Sequence, residues 1–302
     1  MLSRSCTDAR IDEKIPTLTC AEDAMGHFLE KLENISKKNK SLLCVGLDPN
    51  PAKVPVRDIF EFNKAIIEST QHLVCAYKPN LAFYEALGLE GLRILEKTVA
   101  AIPADIPVIG DAKRGDIGST SEAHATALYD YWGFDAVTCN PFGGFDSIEP
   151  LLRPGKGVFF WCRSSNPGAA DFQDLLVNSS SSVTAVPFYE YLAVTIASWE
   201  TEGDLGLVVG ATYPSELKRI REVCPSLPIL VPGVGSQGGM LEASVANGID
   251  SRGAGILISA SRQVLYASSD SNDYAIAANG AAEALRDSIN EALRSGGSTW
   301  ME

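Results

Sequence analysis

Ile109-Gly110-Asp111-Ala112-Lys113-Arg114-Gly115-Asp116-Ile117-Gly118-Ser119-Thr120 reads as the end of a buried strand running straight into a helix. Asp111 and Lys113 lie two apart on the strand and so point to one side, while Ala112 faces the other. Ser119 and Glu122 have the S-x-x-E spacing of a capping box, which predicts a helix start there and leaves Asp116 in the preceding turn, free to project. An acid and an ammonium on one side of a strand end, followed at once by a helix, is the C-terminal end of a β/α unit. In parallel α/β folds that end carries the chemistry. An ordinary ion-pair cluster, with Asp116 capping the helix, is the competing reading.

The same unit recurs on both sides. Eight short runs rich in Val, Ile, Leu, Phe or Cys occur in order: Leu42 to Asp48, Leu73 to Lys78, Ile106 to Asp111, Asp135 to Asn140, Gly157 to Arg163, Leu205 to Gly210, Pro228 to Gly233 and Gly255 to Ser259. Nearly continuous apolar runs of this length predict strands buried on both faces of a parallel sheet. Between them lie helical spacings such as Ile59, Phe62, Ile66 and Ile67, or Leu92, Leu95 and Val99. Eight alternations predict an α/β fold, a (β/α)8 TIM barrel, with an open doubly wound sheet as the alternative.

Residues 1–40 read as an N-terminal extension whose amphipathic helix, Glu22 to Lys40 with Phe28, Leu29, Leu32 and Ile35 on one side, packs on the barrel bottom; 41–302 read as a single barrel domain. Ser164 to Val186 is too long for an ordinary βα connection. It is a candidate lid, or, over the run Ser179 to Ser182, a disordered insertion.

The other strand ends extend the polar cluster. The first ends in Asp48, the second in Lys78 and Asn80, the fourth in Asn140. Val231 to Gly239 is a Gly-rich turn opening into a helix, and Ser259-Ala260-Ser261-Arg262 closes the eighth strand. The loops after strands 7 and 8 of such barrels are the usual phosphate site, where backbone N–H groups and an arginine meet a dianion. His27, His72 and His124 fall in predicted helices with no metal-like spacing. General acid work then falls to Lys113.

Bulk properties narrow the function. A net charge of −13 disfavours a nucleic-acid binder, and the absence of a long apolar run disfavours a membrane span, so the cytoplasm is the expected compartment. Seven cysteines, at 6, 20, 44, 75, 139, 162 and 224, show no C-x-x-C pair and read as reduced, mostly buried thiols.

Taken together, Gly46-Leu47-Asp48-Pro49, Tyr77-Lys78-Pro79-Asn80, Asp111 to Thr120, Ser164-Ser165-Asn166-Pro167-Gly168, Pro232 to Gly239 and Ser259 to Arg262 resemble the orotidine 5'-monophosphate decarboxylase family, in order and over almost the whole barrel. The resemblance implies a carboxy-lyase that converts orotidine 5'-monophosphate to UMP and CO2, with no metal and no organic cofactor. It implies that Asp48 and Lys78 hold the ribose hydroxyls beside Asn80, that Asp111 faces the departing carboxylate, and that Lys113 protonates C6 of the pyrimidine. Asp116, Ile117 and Thr120 would reach the neighbouring subunit's site, making a homodimer with shared active sites. Ser164 or Ser165 would read the pyrimidine; Pro232, Gln237 and Arg262 would meet the phosphate, with Asn140 nearby, and Ser261 would also contact the substrate.

The resemblance leaves open an association with orotate phosphoribosyltransferase. The D-x-K-x-x-D core alone is shared with metal-dependent sugar-phosphate decarboxylases and aldolases, which stay as a rival, as does a catalytically silent nucleotide-binding barrel.

Overall fold

The computed structural model describes residues 27–178, 185–234 and 240–300. Eight parallel strands form one sheet: β1 (Leu43–Gly46), β2 (Ala76–Lys78), β3 (Ile109–Arg114), β4 (Ala136–Cys139), β5 (Gly157–Arg163), β6 (Asp204–Val209), β7 (Ile229–Pro232) and β8 (Ile256–Ala260). Each pairs with its neighbours in sequence, and β8 pairs with β1. Bridges Tyr77↔Val108 and Asn80↔Asp111 join β2 to β3 and close the ring. The open doubly wound alternative is therefore excluded. The third strand starts three residues later than its apolar run, because the segment before it enters only through the Val108 bridge and the Tyr77 N–H donating to Pro107 O at 3.0 Å.

Period-two alternation splits the core in two. Cys44, Ala76, Ile109, Ala136, Phe159, Val208, Leu230 and Leu257, one from each strand, fill the barrel interior together with Cys75. The alternate positions, such as Leu43, Val45, Val137, Val158, Phe160, Ile256 and Ile258, pack outward against the helices. This is the layered filling of a closed barrel, and it makes the interior a packed core below the mouth.

The helix His27–Asn39 lies across the strand starts. Phe28 and Leu32 join the interior cluster, Phe28 meets Phe159 edge-on at 5.8 Å, and the Leu29 N–H donates to Asp204 at 3.1 Å. Lys31 pairs with Asp135 at 2.8 Å, which also accepts the Val108 N–H. The part of this helix expected before His27 lies outside the described residues.

Three local readings need correction. The helix after β3 (Gly118–Ala125) has Ile117 at its N-cap with no side-chain cap, so Ser119 sits one residue inside and no capping box forms. The Asp116 carboxylate takes the Ile117 N–H at 2.7 Å, and Gly118, at φ +53°, turns the chain into the helix early. In the helix Gly88–Ala100 the buried stripe is Gly91, Ile94, Leu95 and Thr98, rotated from Leu92, Leu95 and Val99. His72 lies in the turn after the helix Ile59–Thr70, not within it.

The long connection after β5 is partly ordered. It holds a 3-10 turn (Pro167–Ala169), a helical turn (Ala170–Gln173) and a two-residue antiparallel pairing of Leu176–Val177 with Val186–Pro187. The serine run Ser179 to Ser182 lies outside the described residues.

Candidate active site

The strand alternation that packs the interior also builds the mouth. Continuing inward-facing positions upward from Cys44 gives Gly46 and Asp48; from Ala76, Lys78 and Asn80; from Ile109, Asp111 and Lys113; from Ala136, Thr138 and Asn140. Each column is apolar below and polar above. Four adjacent strands therefore deliver acids, ammoniums and hydroxyls to one rim.

Asp111 is the hub. Its Oδ2 accepts from Lys78 Nζ at 2.8 Å and from Asn80 Nδ2 at 3.4 Å; its Oδ1 accepts from Lys113 Nζ at 2.6 Å and from the Thr138 hydroxyl at 2.8 Å. Asp48 forms a second node, accepting the Asn80 N–H at 3.1 Å and the Ser261 hydroxyl at 2.6 Å. Gly46 permits that contact, since a Cβ there would lie 1.9 Å from Ser261 Oγ. Tyr266 ties the rim together: its hydroxyl donates to Asp48 O at 3.0 Å and accepts the Asn50 N–H at 2.7 Å.

Electrostatics keep the hub ionised. Burial alone would raise the Asp111 carboxyl, but the Lys78 and Lys113 ammoniums outweigh it and hold the group well below the usual carboxylate range. Burial likewise pulls Lys78 down, and the Asp111 and Asp48 carboxylates reverse this, holding its ammonium above the usual lysine range. Lys78 and Asp111 side chains are 6% and 8% exposed, whereas Lys113 is 37% exposed, so Lys113 presents its charge to whatever enters the mouth. Its Nζ also lies 6.0 Å above the Trp161 ring.

The expected residues thus fall into groups. Asp48, Lys78, Asn80, Asp111, Lys113 and Ser261 form one connected network. Asn140 is exposed, and its side chain caps the 3-10 turn Pro141–Gly143 by accepting the Phe142 N–H at 3.1 Å. Asp116, Ile117 and Thr120 stand exposed on the rim, Ile117 at 68%, with Asp116 turned onto its own loop. Pro232 ends β7 and accepts the Ala211 N–H through its carbonyl, while Arg262 opens the short helix Arg262–Leu265 at the exposed edge. Gln237 lies outside the described residues.

Ser164 and Ser165 begin the loop after β5, held from several sides. The Ser164 N–H donates to Gln173 Oε1 at 2.8 Å, and Ser165 O accepts the Thr212 hydroxyl at 2.9 Å. Arg163, fully buried, donates to Ser164 O at 3.1 Å, to Gln173 Oε1 at 3.3 Å and to Asp174 at 3.2 Å. Its guanidinium lies 3.7 Å from the Tyr213 ring centroid.

Thr138, Tyr266 and Arg163 were not singled out by sequence. The one pointer to Thr138 is positional: it lies two residues before Asn140 and so on the same face of the strand. Arg163 was a lone charge ending an apolar run. Tyr266 lies beyond the eighth strand, where nothing local marks it. The five cysteines among the described residues, Cys44, Cys75, Cys139, Cys162 and Cys224, are free and buried, and burial pushes the Cys44 thiol up to about 12. Cys6 and Cys20 lie outside the described residues. No helix among the described residues is long and apolar enough to cross a membrane.

A family model described as orotidine 5'-phosphate decarboxylase / HUMPS family matches residues 41–275. The chain is similar to an orotidine 5'-phosphate decarboxylase of Dehalococcoides mccartyi, 48% identical over 265 residues covering 87% of this chain and 97% of that protein. It is equally similar to one of Herpetosiphon aurantiacus, 48% identical over 266 residues covering 85% and 96%. Among solved structures, that of Leishmania donovani OMP decarboxylase superposes with a TM-score of 0.78 at 39% identity, covering 89% of this chain and 100% of that one.

Proposed function

We infer the division of labour at the mouth from one premise: the chain belongs to the orotidine 5'-phosphate decarboxylase / HUMPS family, and it is a carboxy-lyase converting orotidine 5'-monophosphate to UMP and CO2. The observation that carries the assignment of roles is the buried Lys78–Asp111–Lys113 chain of contacts, with Lys113 as its exposed end.

Breaking the bond between C6 and the carboxylate leaves an electron pair at C6, a ring position with no adjacent carbonyl to spread it. A fixed ammonium aimed there meets charge that exists only in the transition state, which is the kind of interaction that raises kcat. Lys113 supplies that ammonium and then delivers its proton to C6. Asp111 faces the substrate carboxylate and disfavours the ground state, while anchoring Lys113 where the charge develops. Asp48 and Lys78, with Asn80 beside them, bind the ribose hydroxyls. Ser164 or Ser165 reads the pyrimidine edge. Pro232, Gln237 and Arg262, near Asn140, hold the phosphate, Ser261 contacts the substrate from beside Asp48, and phosphate binding supplies energy for ordering the loops.

The exposed run Asp116, Ile117 and Thr120 serves the partner subunit's site in a homodimer. Residues 41–302 act as one catalytic barrel, 1–40 as its extension, in the cytoplasm; an association with orotate phosphoribosyltransferase, which makes the substrate, fits the same reading. The chemistry routes through side chains of this chain and calls for no metal or organic cofactor.

Loss of the orotidylate ultraviolet band on adding purified protein in EDTA tests the reaction and its metal independence together; turnover abolished by EDTA and restored by a divalent cation would favour the sugar-phosphate branch of the superfamily. Mixing Lys113→Ala with Asp116→Ala tests the shared site. Each homodimer should be nearly inactive, and random reassortment makes half the dimers mixed, each with one intact site, so activity should recover to about a quarter of wild type. Tagged mixed dimers that stay inactive would place Asp116 in its own chain's site.

A further inference from the structure

Lys113 adopts a left-handed backbone, φ +47°, that side chains other than glycine rarely hold. Such a conformation is strained for a residue that carries a Cβ and persists only where neighbours over-determine it. Two observations identify the neighbour. The Lys113 N–H donates to Thr138 Oγ1 at 3.0 Å, and Thr138 Oγ1 lies 2.8 Å from Asp111 Oδ1. Both directions are fixed by chemistry: a backbone N–H can only donate, and an ionised carboxylate can only accept. The hydroxyl therefore uses its one proton on the acid and a lone pair on the lysine's backbone.

We propose that Thr138 is a positioning residue for the proton donor: its hydroxyl locks the Lys113 backbone to the Asp111 carboxylate and so fixes where the ammonium sits. The inference rests on the reading of Lys113 as that donor. Thr138 is 1% exposed on β4, so its hydroxyl is shielded from solvent by the strands around it. The register between β3 and β4 shifts between Gly110 and Arg114, beside this contact, so the ladder does not itself hold Lys113 in place. Through the hydroxyl, both ends of the Lys113 side chain are referred to one carboxylate: the ammonium contacts Asp111 Oδ1 directly at 2.6 Å, and the backbone contacts it through Thr138. Asp111 also accepts from Lys78, Asn80 and Lys113, so the hydroxyl is one of its four donors, and its distinct contribution is to the Lys113 backbone.

Thr138→Val keeps the shape and removes the hydroxyl; Thr138→Ser keeps the hydroxyl. In Thr138→Val, kcat should fall about 10- to 100-fold, as expected for losing a buried hydrogen bond to a charged group, with UMP affinity within about threefold of wild type. Thr138→Ser should recover most of kcat.

The measurements are steady-state kcat, UMP dissociation constants and melting temperature for both variants and for Lys113→Ala. Wild-type kcat in Thr138→Val beside an inactive Lys113→Ala overturns the proposal and leaves the Lys113 reading standing. Turnover retained in Lys113→Ala overturns that reading instead. Parallel losses of kcat, UMP affinity and melting temperature overturn the proposal in favour of a purely structural threonine. Should Thr138→Val not fold, Thr138→Ala takes its place, and a serine variant no faster than the alanine one overturns the proposal.

Discussion

At the floor of the barrel, Asp135 takes Lys31 and the Val108 N–H, each at 2.8 Å, and Asp204 takes the Leu29 N–H at 3.1 Å. At the mouth, Asp111 takes two lysines, an amide and a hydroxyl, and Asp48 takes a backbone N–H and a serine. The residue types are the same, but the suppliers differ. The floor acids sit at strand starts and are met by a helix that also inserts Phe28 and Leu32 into the interior. Their partners are part of the packing, so they fasten that helix to the barrel floor. The mouth acids draw their cations from the strands themselves, and one of those cations, Lys113, is left partly exposed. Charge at the strand starts secures the fold, and on the proposed reading charge at the strand ends is presented to a ligand.

Substitutions at the two ends should separate along that line. Lys113→Ala should lower kcat by about 10³-fold or more while UMP still binds, since a preorganised transition-state charge is removed; near-normal kcat would remove the mouth from the chemistry. Phe28→Ala should cost about 3–5 kcal/mol of stability, measured by denaturant unfolding, with kcat unchanged in the folded fraction. A selective kcat loss there would mean that the floor communicates with the mouth. Arg262→Ala should raise KM about 10- to 100-fold, as a charged contact to phosphate is lost; unchanged kinetics would move the phosphate site elsewhere. Lys31→Ala should cost under about 1 kcal/mol, because the ion pair is partly exposed and Asp135 keeps the Val108 N–H. A larger loss would show the floor pair to be a principal fastener.

The barrel was legible because two periodicities were written openly: apolar runs for strands and three-and-four spacing for helices. Asp48, Lys78, Asn80, Asp111 and Lys113 were legible for the same reason, each being an ionic or amide group on the inner face where an apolar strand run gives out. Thr138 was hidden by its chemistry, since threonine is at home in any strand and announces no function. The left-handed Lys113 was hidden because backbone strain follows from contacts across strands, not from neighbours in sequence. The capping-box spacing misled at Ser119 because Asp116, three residues earlier, competes for the same turn and takes the Ile117 N–H. Tyr266 reaches Asp48 across 218 positions, a distance over which no local pattern operates.

Arg163 gives the long connection after β5 a practical property. Through Gln173 and Asp174 it staples the chain back to the strand end, and the pairing of Leu176–Val177 with Val186–Pro187 closes a second ring beyond the first. Ser164 and Ser165 belong to the inner ring, anchored to the barrel independently of what lies past the outer one. A tag or a reporter fused beyond the outer ring should therefore leave the residues at the mouth where they are.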